Sequence, residues 1–139
     1  MYPSSFNVYK KSAAAQFSLI LPRRNEKGRI EKEGAVLIEV TKASGEKQYD
    51  WSKKITFAIG MGDLCQFFDN PDNPPKFIHK LEEITKTLEF KQGEAQYAGT
   101  YMLTLNDGQN KTSVPISGGE YTIVQKLFAT AITKIIGWN

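Results

Sequence analysis

The residues able to do acid–base, nucleophilic or metal chemistry are few. His79 is the only histidine and Cys65 the only cysteine of the 139 residues. A site built from soft ligands needs three or four such groups, so no metal centre is expected. A Ser–His–acid or Cys–His nucleophile would have to recruit His79, with Cys65 across a loop from it, and nothing local supports that pairing. Cys65 reads instead as a small core hydrophobe on a short helix. "GMGDL", at 60–64, lacks the lysine and the spacing of a phosphate loop and reads as a strand-to-helix joint. Asp69, Asn70, Asp72 and Asn73 are interrupted by Pro71 and lack the distal glutamate of a calcium loop. They read as a turn. No enzyme activity, cofactor, metal or small-molecule substrate is expected.

One cluster does have a chemistry of its own. "QYDWSKKITF", at 48–57, joins two large aromatics to adjacent lysines at the head of an alternating strand. On a continuous strand Tyr49 and Trp51 share a face, Lys53 continues it and Lys54 begins the other. Aromatic faces with a basic track are what a single-stranded nucleic acid needs. Stacking contributes roughly 1–3 kcal/mol per base whatever the base, and lysines hold the phosphates. The alternative is that Trp51 is core and the lysines are a solvated edge that discourages strand addition. A second patch holds Tyr9, Lys10 and Lys11, with Gln16 and Phe17 following on the next strand and available to a ligand. Lys86, alone among apolar neighbours, either snorkels to a groove or pairs with an acid. Arg23 and Arg24 read as a solvated turn. The net charge of +3 is modest, but residues 1–25 carry four basic residues and no acid.

The elements that must position these groups follow from periodicity. The chain length predicts a single domain over 1–139, able to bury about 68% of its unfolded surface. Residues 13–21 read as a buried strand ended by Pro22, and 23–28 as a turn. A second strand over 29–41 puts Val36, Ile38 and Val40 on one face. Residues 43–46 form a turn that uses the freedom of Gly45, and a third strand runs 47–59. Asp63 is placed to cap a short helix whose apolar residues are Leu64, Phe67 and Phe68. Prolines stiffen a loop over 69–75. Strands follow near 76–80, 84–91, 99–106 and 111–116, the last two joined by the hairpin signal "NDGQN". Ser117 and Glu120 have capping-box spacing ahead of a long helix whose apolar residues are Tyr121, Val124, Leu127, Phe128, Ala131 and Ile135, with Gly137 as its terminal cap. The fold class is α+β. No apolar run approaches the roughly 18 residues of a membrane span. The first 17 residues lack a signal-peptide block and read poorly as a transit peptide, so an organellar or a bacterial or viral cytoplasmic setting stays open.

"YKKSAAAQFSLILPR", "GRIEKEGAVLIEV", "QYDWSKKITFAIG" and "VPISGGEYTIVQKLFATAITKIIGW", in that order over nearly the whole chain, resemble the Whirly proteins. These are single-stranded nucleic-acid-binding proteins of plant organelles, and trypanosome mitochondrial guide-RNA-binding proteins share their fold. The resemblance implies two packed four-stranded antiparallel sheets, braced by a short central helix and a long C-terminal helix. It implies homotetramers with the helices inside, and single strands bound along sheet edges between protomers. "KKSAA", at 10–14, stands where the family has a Lys-Gly-Lys-Ala-Ala motif important for binding and higher assembly. Here Lys10 matches, Lys11 replaces the glycine and Ser12 the second lysine.

Three function classes follow. The first is an oligomeric single-stranded DNA-binding protein of little sequence specificity, in DNA protection, repair, recombination or transcription, with RNA as the alternative strand. The second is a regulatory scaffold binding mainly protein, and the third a small-molecule binder or enzyme. The first fits the residues best, and the shortage of histidine and cysteine opposes the third.

Overall fold

The computed structural model describes residues 4–138. Its first sheet contains β1 (Ser5–Tyr9), β2 (Ala13–Ile20), β5 (Ala35–Gly45), β6 (Gln48–Tyr49) and β7 (Ile55–Ile59), and every pairing is antiparallel. β2 lies between β1 and β5, while β6 and β7 both pair with β5. The second sheet runs β11-β10-β9-β8, from β8 (Phe77–Leu81), β9 (Ile84–Gln92), β10 (Tyr101–Asn106) and β11 (Lys111–Ile116). A ribbon of β3 (Arg23–Arg24) and β4 (Ile30–Lys32) stands apart. Helix α1 is Met61–Asp69 and α2 is Gly118–Ile135. This is the expected α+β class.

Alternation explains the sheets. In the first, Phe6, Phe17, Ile38 and Phe57 share a register row, and the last three are buried. The next row, Asn7, Gln16, Glu39 and Thr56, takes the opposite face because side chains alternate. In the second sheet Leu88, Phe90, Tyr101, Leu103, Leu105, Val114 and Ile116 are buried. Phe67 of α1, Phe90 and Phe128 of α2 meet edge to face, with ring centroids 4.9 Å apart for Phe67–Phe128. Such pairs add about 0.5–1.5 kcal/mol to their area burial.

The long helix begins as predicted. Ser117 Oγ accepts from the Glu120 amide at 3.1 Å and Glu120 Oε1 accepts from the Ser117 amide at 2.8 Å. Tyr121, Val124, Phe128, Ala131 and Ile135 are buried. Leu127 is not: it stays 39% exposed beside Ile123, so the helix keeps an open apolar strip. Gly137 adopts φ 79°, the left-handed geometry that ends a helix at least cost in a glycine.

Five expectations need correction. β1 is a strand that the sequence reading lacks; Phe6 and Val8 turn to the core and alternate with Ser5, Asn7 and Tyr9, but five residues make a short period. The third strand is broken: residues 50–54 lie opposite only 41 and 42 of β5, and Trp51–Lys53 form a single 3-10 turn. Asp50 is the reason, since its carboxylate accepts from both the amide and the hydroxyl of Ser52, a local bond that competes with the ladder. Gly45 ends β5 just past a register shift and without a left-handed φ, and the left-handed residue of the turn is Lys47, φ 57°. The cap of α1 is Gly60 rather than Asp63, which sits one turn in and accepts from the Gly60 amide at 3.2 Å. Cys65 is exposed rather than core, because it lies on the side of α1 opposite Leu64 and Phe67.

Candidate nucleic-acid interface

Pairing of β1 with β2 and of β6 with the end of β5 brings two distant segments together. The rings of Tyr9 and Tyr49 lie 5.5 Å apart, inclined by 41°. Tyr49 Oη donates to the Lys10 carbonyl at 2.5 Å. The Ala43 amide donates to the Ser12 carbonyl and the Lys10 amide to the Ala13 carbonyl, both at 2.9 Å. The β1–β2 turn is therefore fixed against the β5–β6 hairpin. Between them opens a cleft of about 990 Å³ lined by Tyr9, Lys10, Lys11, Lys47 and Tyr49 with Ala43, Gly45 and Glu46. Tyr9 is 58% exposed, so one aromatic face is open to a ligand while Tyr49 is held by its hydroxyl.

The charges differ in availability. Lys10 Nζ pairs with Glu120 Oε1 at 2.8 Å and Lys54 Nζ with Glu39 Oε2 at 2.5 Å. Among the described residues Lys11, Lys47 and Lys53 have no carboxylate at ion-pair distance. Partial burial pushes the Glu120 carboxyl up. The Lys10 ammonium and the Ser117 amide outweigh it and hold that carboxyl below its ordinary value.

Of the residues singled out in the sequence, the cleft collects Tyr9, Lys10, Lys11 and Tyr49. Lys53 and Lys54 line a neighbouring cleft of about 480 Å³ with Lys42, Asp50, Asp107 and Asn110. The two clefts share Ala43 on β5. Trp51 lines neither; it begins the 3-10 turn, where strand alternation no longer applies. The continuous strand on which it would share a face with Tyr49 and Lys53 is interrupted there. Phe17 is corrected as well. It is 3% exposed and packs on Phe6 in the core, whereas Gln16 occupies the opposite face, half-buried. Lys86 neither snorkels freely nor forms an ion pair. It donates to the carbonyl and hydroxyl of Thr56 at 3.1 and 3.2 Å, tying β9 to β7. His79 stacks on Phe57 at 4.2 Å and bonds Asp63 at 2.8 Å, a packed position between β8 and α1.

Lys47 and Glu120 were missed as site residues. Lys47 stands in the charged stretch 42–54, but only the hairpin geometry brings it to the same cleft as Tyr9. Glu120 was read only as a helix cap, and no sequence spacing couples it to Lys10, 110 positions away.

The sequence profile described as Whirly transcription factor matches residues 8–127. The chain belongs to the Whirly family. It is similar to a Whirly relative of Zea mays, the chloroplastic single-stranded DNA-binding protein WHY1. The two are 25% identical over 152 aligned positions, which cover 98% of this chain and 57% of the relative. It is also similar to the mitochondrial single-stranded DNA-binding protein WHY2 of Arabidopsis thaliana, at 27% identity over 96% of this chain and 63% of the relative. The chain thus spans about three-fifths of the length of these Whirly proteins. Among solved structures, Arabidopsis thaliana WHY1 superposes with a TM-score of 0.83 at 20% identity, covering 99% of this chain and 88% of that one. The plant transcriptional regulator PBF-2 gives 0.81 at 19% identity, over 99% and 85%. These superpositions establish the Whirly fold.

Proposed function

We propose that this chain binds single-stranded DNA with little sequence preference, at the cleft between the β1–β2 turn and the β5–β6 hairpin. The observation that carries the reading is the open Tyr9 face, backed by Tyr49 and flanked by Lys11 and Lys47. A base stacks on Tyr9, which is sequence-tolerant because every base has a π-face. Lys11 and Lys47 neutralise the adjoining phosphates. The second cleft, with Lys42 and Lys53, continues the basic track beyond Ala43. No group in either cleft is assigned to a 2′-hydroxyl, the feature by which proteins distinguish RNA. The relatives' description as single-stranded DNA-binding proteins supports DNA.

The active form is an oligomer, a homotetramer assembled through α2. Exposed Ile123 and Leu127 support this. So does an apolar groove of about 310 Å³ where Phe6, Phe17, Leu19 and Val36 face Leu127 and Ala131. The setting is a plastid or mitochondrion, as for the relatives.

Replacing Tyr9 by Ala tests the site. Stacking worth about 1–3 kcal/mol corresponds to a loss of roughly 5- to 150-fold in affinity for a single-stranded 30-mer, at an unchanged salt slope. Affinity equal to that of the wild type would remove the cleft from consideration.

A further inference from the structure

Resting on that reading, we infer that Lys10 is a positioning residue rather than a phosphate contact: its ion pair with Glu120 locks the β1–β2 turn to the start of α2 and so holds the Tyr9 face in place. Every polar group of Lys10 is already committed within the chain. Its amide donates to Ala13, its carbonyl accepts from Tyr49, and its ammonium lies 2.8 Å from Glu120 Oε1. The same carboxylate oxygen accepts the Ser117 amide that begins α2. Side chains of both partners are about 70% withdrawn from solvent, at 30% and 27% exposure. The pair is therefore less screened than a pair on an open surface.

The helix explains why the partner matters. The first turn of an α-helix carries partial positive charge, which disfavours a cation placed there. Lys10 sits beside that turn only because Glu120 stands between. Without the carboxylate, Lys10 faces the helix end unopposed and leaves. The turn then keeps only its bonds to Tyr49 and Ala43, and Tyr9, the residue before Lys10, loses its fixed orientation. Lys11, next along the turn, is exposed and unpaired among the described residues, which makes it the cation for phosphate.

The test compares Lys10→Met, Glu120→Gln, the double variant, Lys10→Arg and Lys11→Met in the full chain, by anisotropy with a labelled dT30 across a salt series. Glutamine still serves in a capping box, so Glu120→Gln removes the charge and keeps the helix start. Circular dichroism confirms that start in each variant. Lys10→Met and Glu120→Gln are expected to weaken binding by the same factor, about tenfold. The double variant loses no more than either alone, the non-additivity of two groups acting as one. The salt slope stays that of the wild type, and Lys10→Arg restores affinity. Lys11→Met lowers the slope by about 0.7, one phosphate on a single strand. A phosphate-contacting Lys10 gives the opposite pattern. Lys10→Met then lowers the slope, and Glu120→Gln, which frees the cation, leaves binding unchanged or tighter; that result overturns the inference alone. If the wild-type chain does not bind dT30, the site assignment itself falls, and this inference with it.

Discussion

Lys10 and Lys54 carry charges that their own chain already neutralises, whereas among the described residues Lys11, Lys47 and Lys53 have no carboxylate at ion-pair distance. Counting lysines along the sequence treats all five alike, and burial and pairing separate them. A further consequence concerns acid. Glu120 is held below its ordinary value of 4.5 by Lys10 and the Ser117 amide, net of a burial effect in the other direction. Its folded form therefore binds protons less readily than its unfolded form. The pair contributes its full stability above about pH 4.5, and that contribution is lost as pH falls through the lowered folded value. In urea melts from pH 7 down to pH 3, Glu120→Gln is expected to be less stable than the wild type at neutral pH. The gap should close as the solution becomes acid. A gap that stayed constant across the range would mean that the carboxylate's charge has no part in the stability.

At the level of elements, β9, β10, β11 and α2 were legible because each buries one side of a regular period. Leu103 and Leu105 alternate with Thr104, and Tyr121, Val124 and Phe128 follow helical spacing. β1 was harder to read, since its alternation of Phe6 and Val8 with Ser5, Asn7 and Tyr9 spans only five residues at a sheet edge. The break at 50–54 was not legible, because it depends on Asp50 preferring the Ser52 amide to the β5 ladder. The candidate site suffered accordingly. Tyr9 and Tyr49 were each visible as aromatics near lysines, but their meeting requires β1 and β6, the two elements with the weakest signals. α2 shows a further case: Leu127 has the spacing of the buried residues, yet it and Ile123 remain exposed. Leu127→Glu adds a charge to that strip while sparing the buried positions. Light scattering after size exclusion should then show the mass falling from a multiple of 15.6 kDa to a single chain, with helicity retained. An assembly of unchanged mass would place the subunit contact elsewhere.

For the whole molecule, the two larger sheets and the helices α1 and α2 build the frame, and the proposed function lies where three ends of that frame meet: the β1–β2 turn, the β5–β6 hairpin and the first turn of α2. The net charge is only +3; under the proposed function, discrimination against duplex comes from the exposed tyrosine, which a duplex with its bases stacked inside cannot engage. That contrast is most directly tested by the wild-type chain's affinity for labelled single-stranded and double-stranded DNA 30-mers, with an RNA strand alongside, at several salt concentrations. The single strand should bind much more tightly than the duplex, with log K falling linearly in log salt by about 0.7 for each phosphate neutralised. Equal affinity for single strand and duplex, or a single-strand affinity indifferent to salt, would contradict the stacking-plus-lysine mechanism.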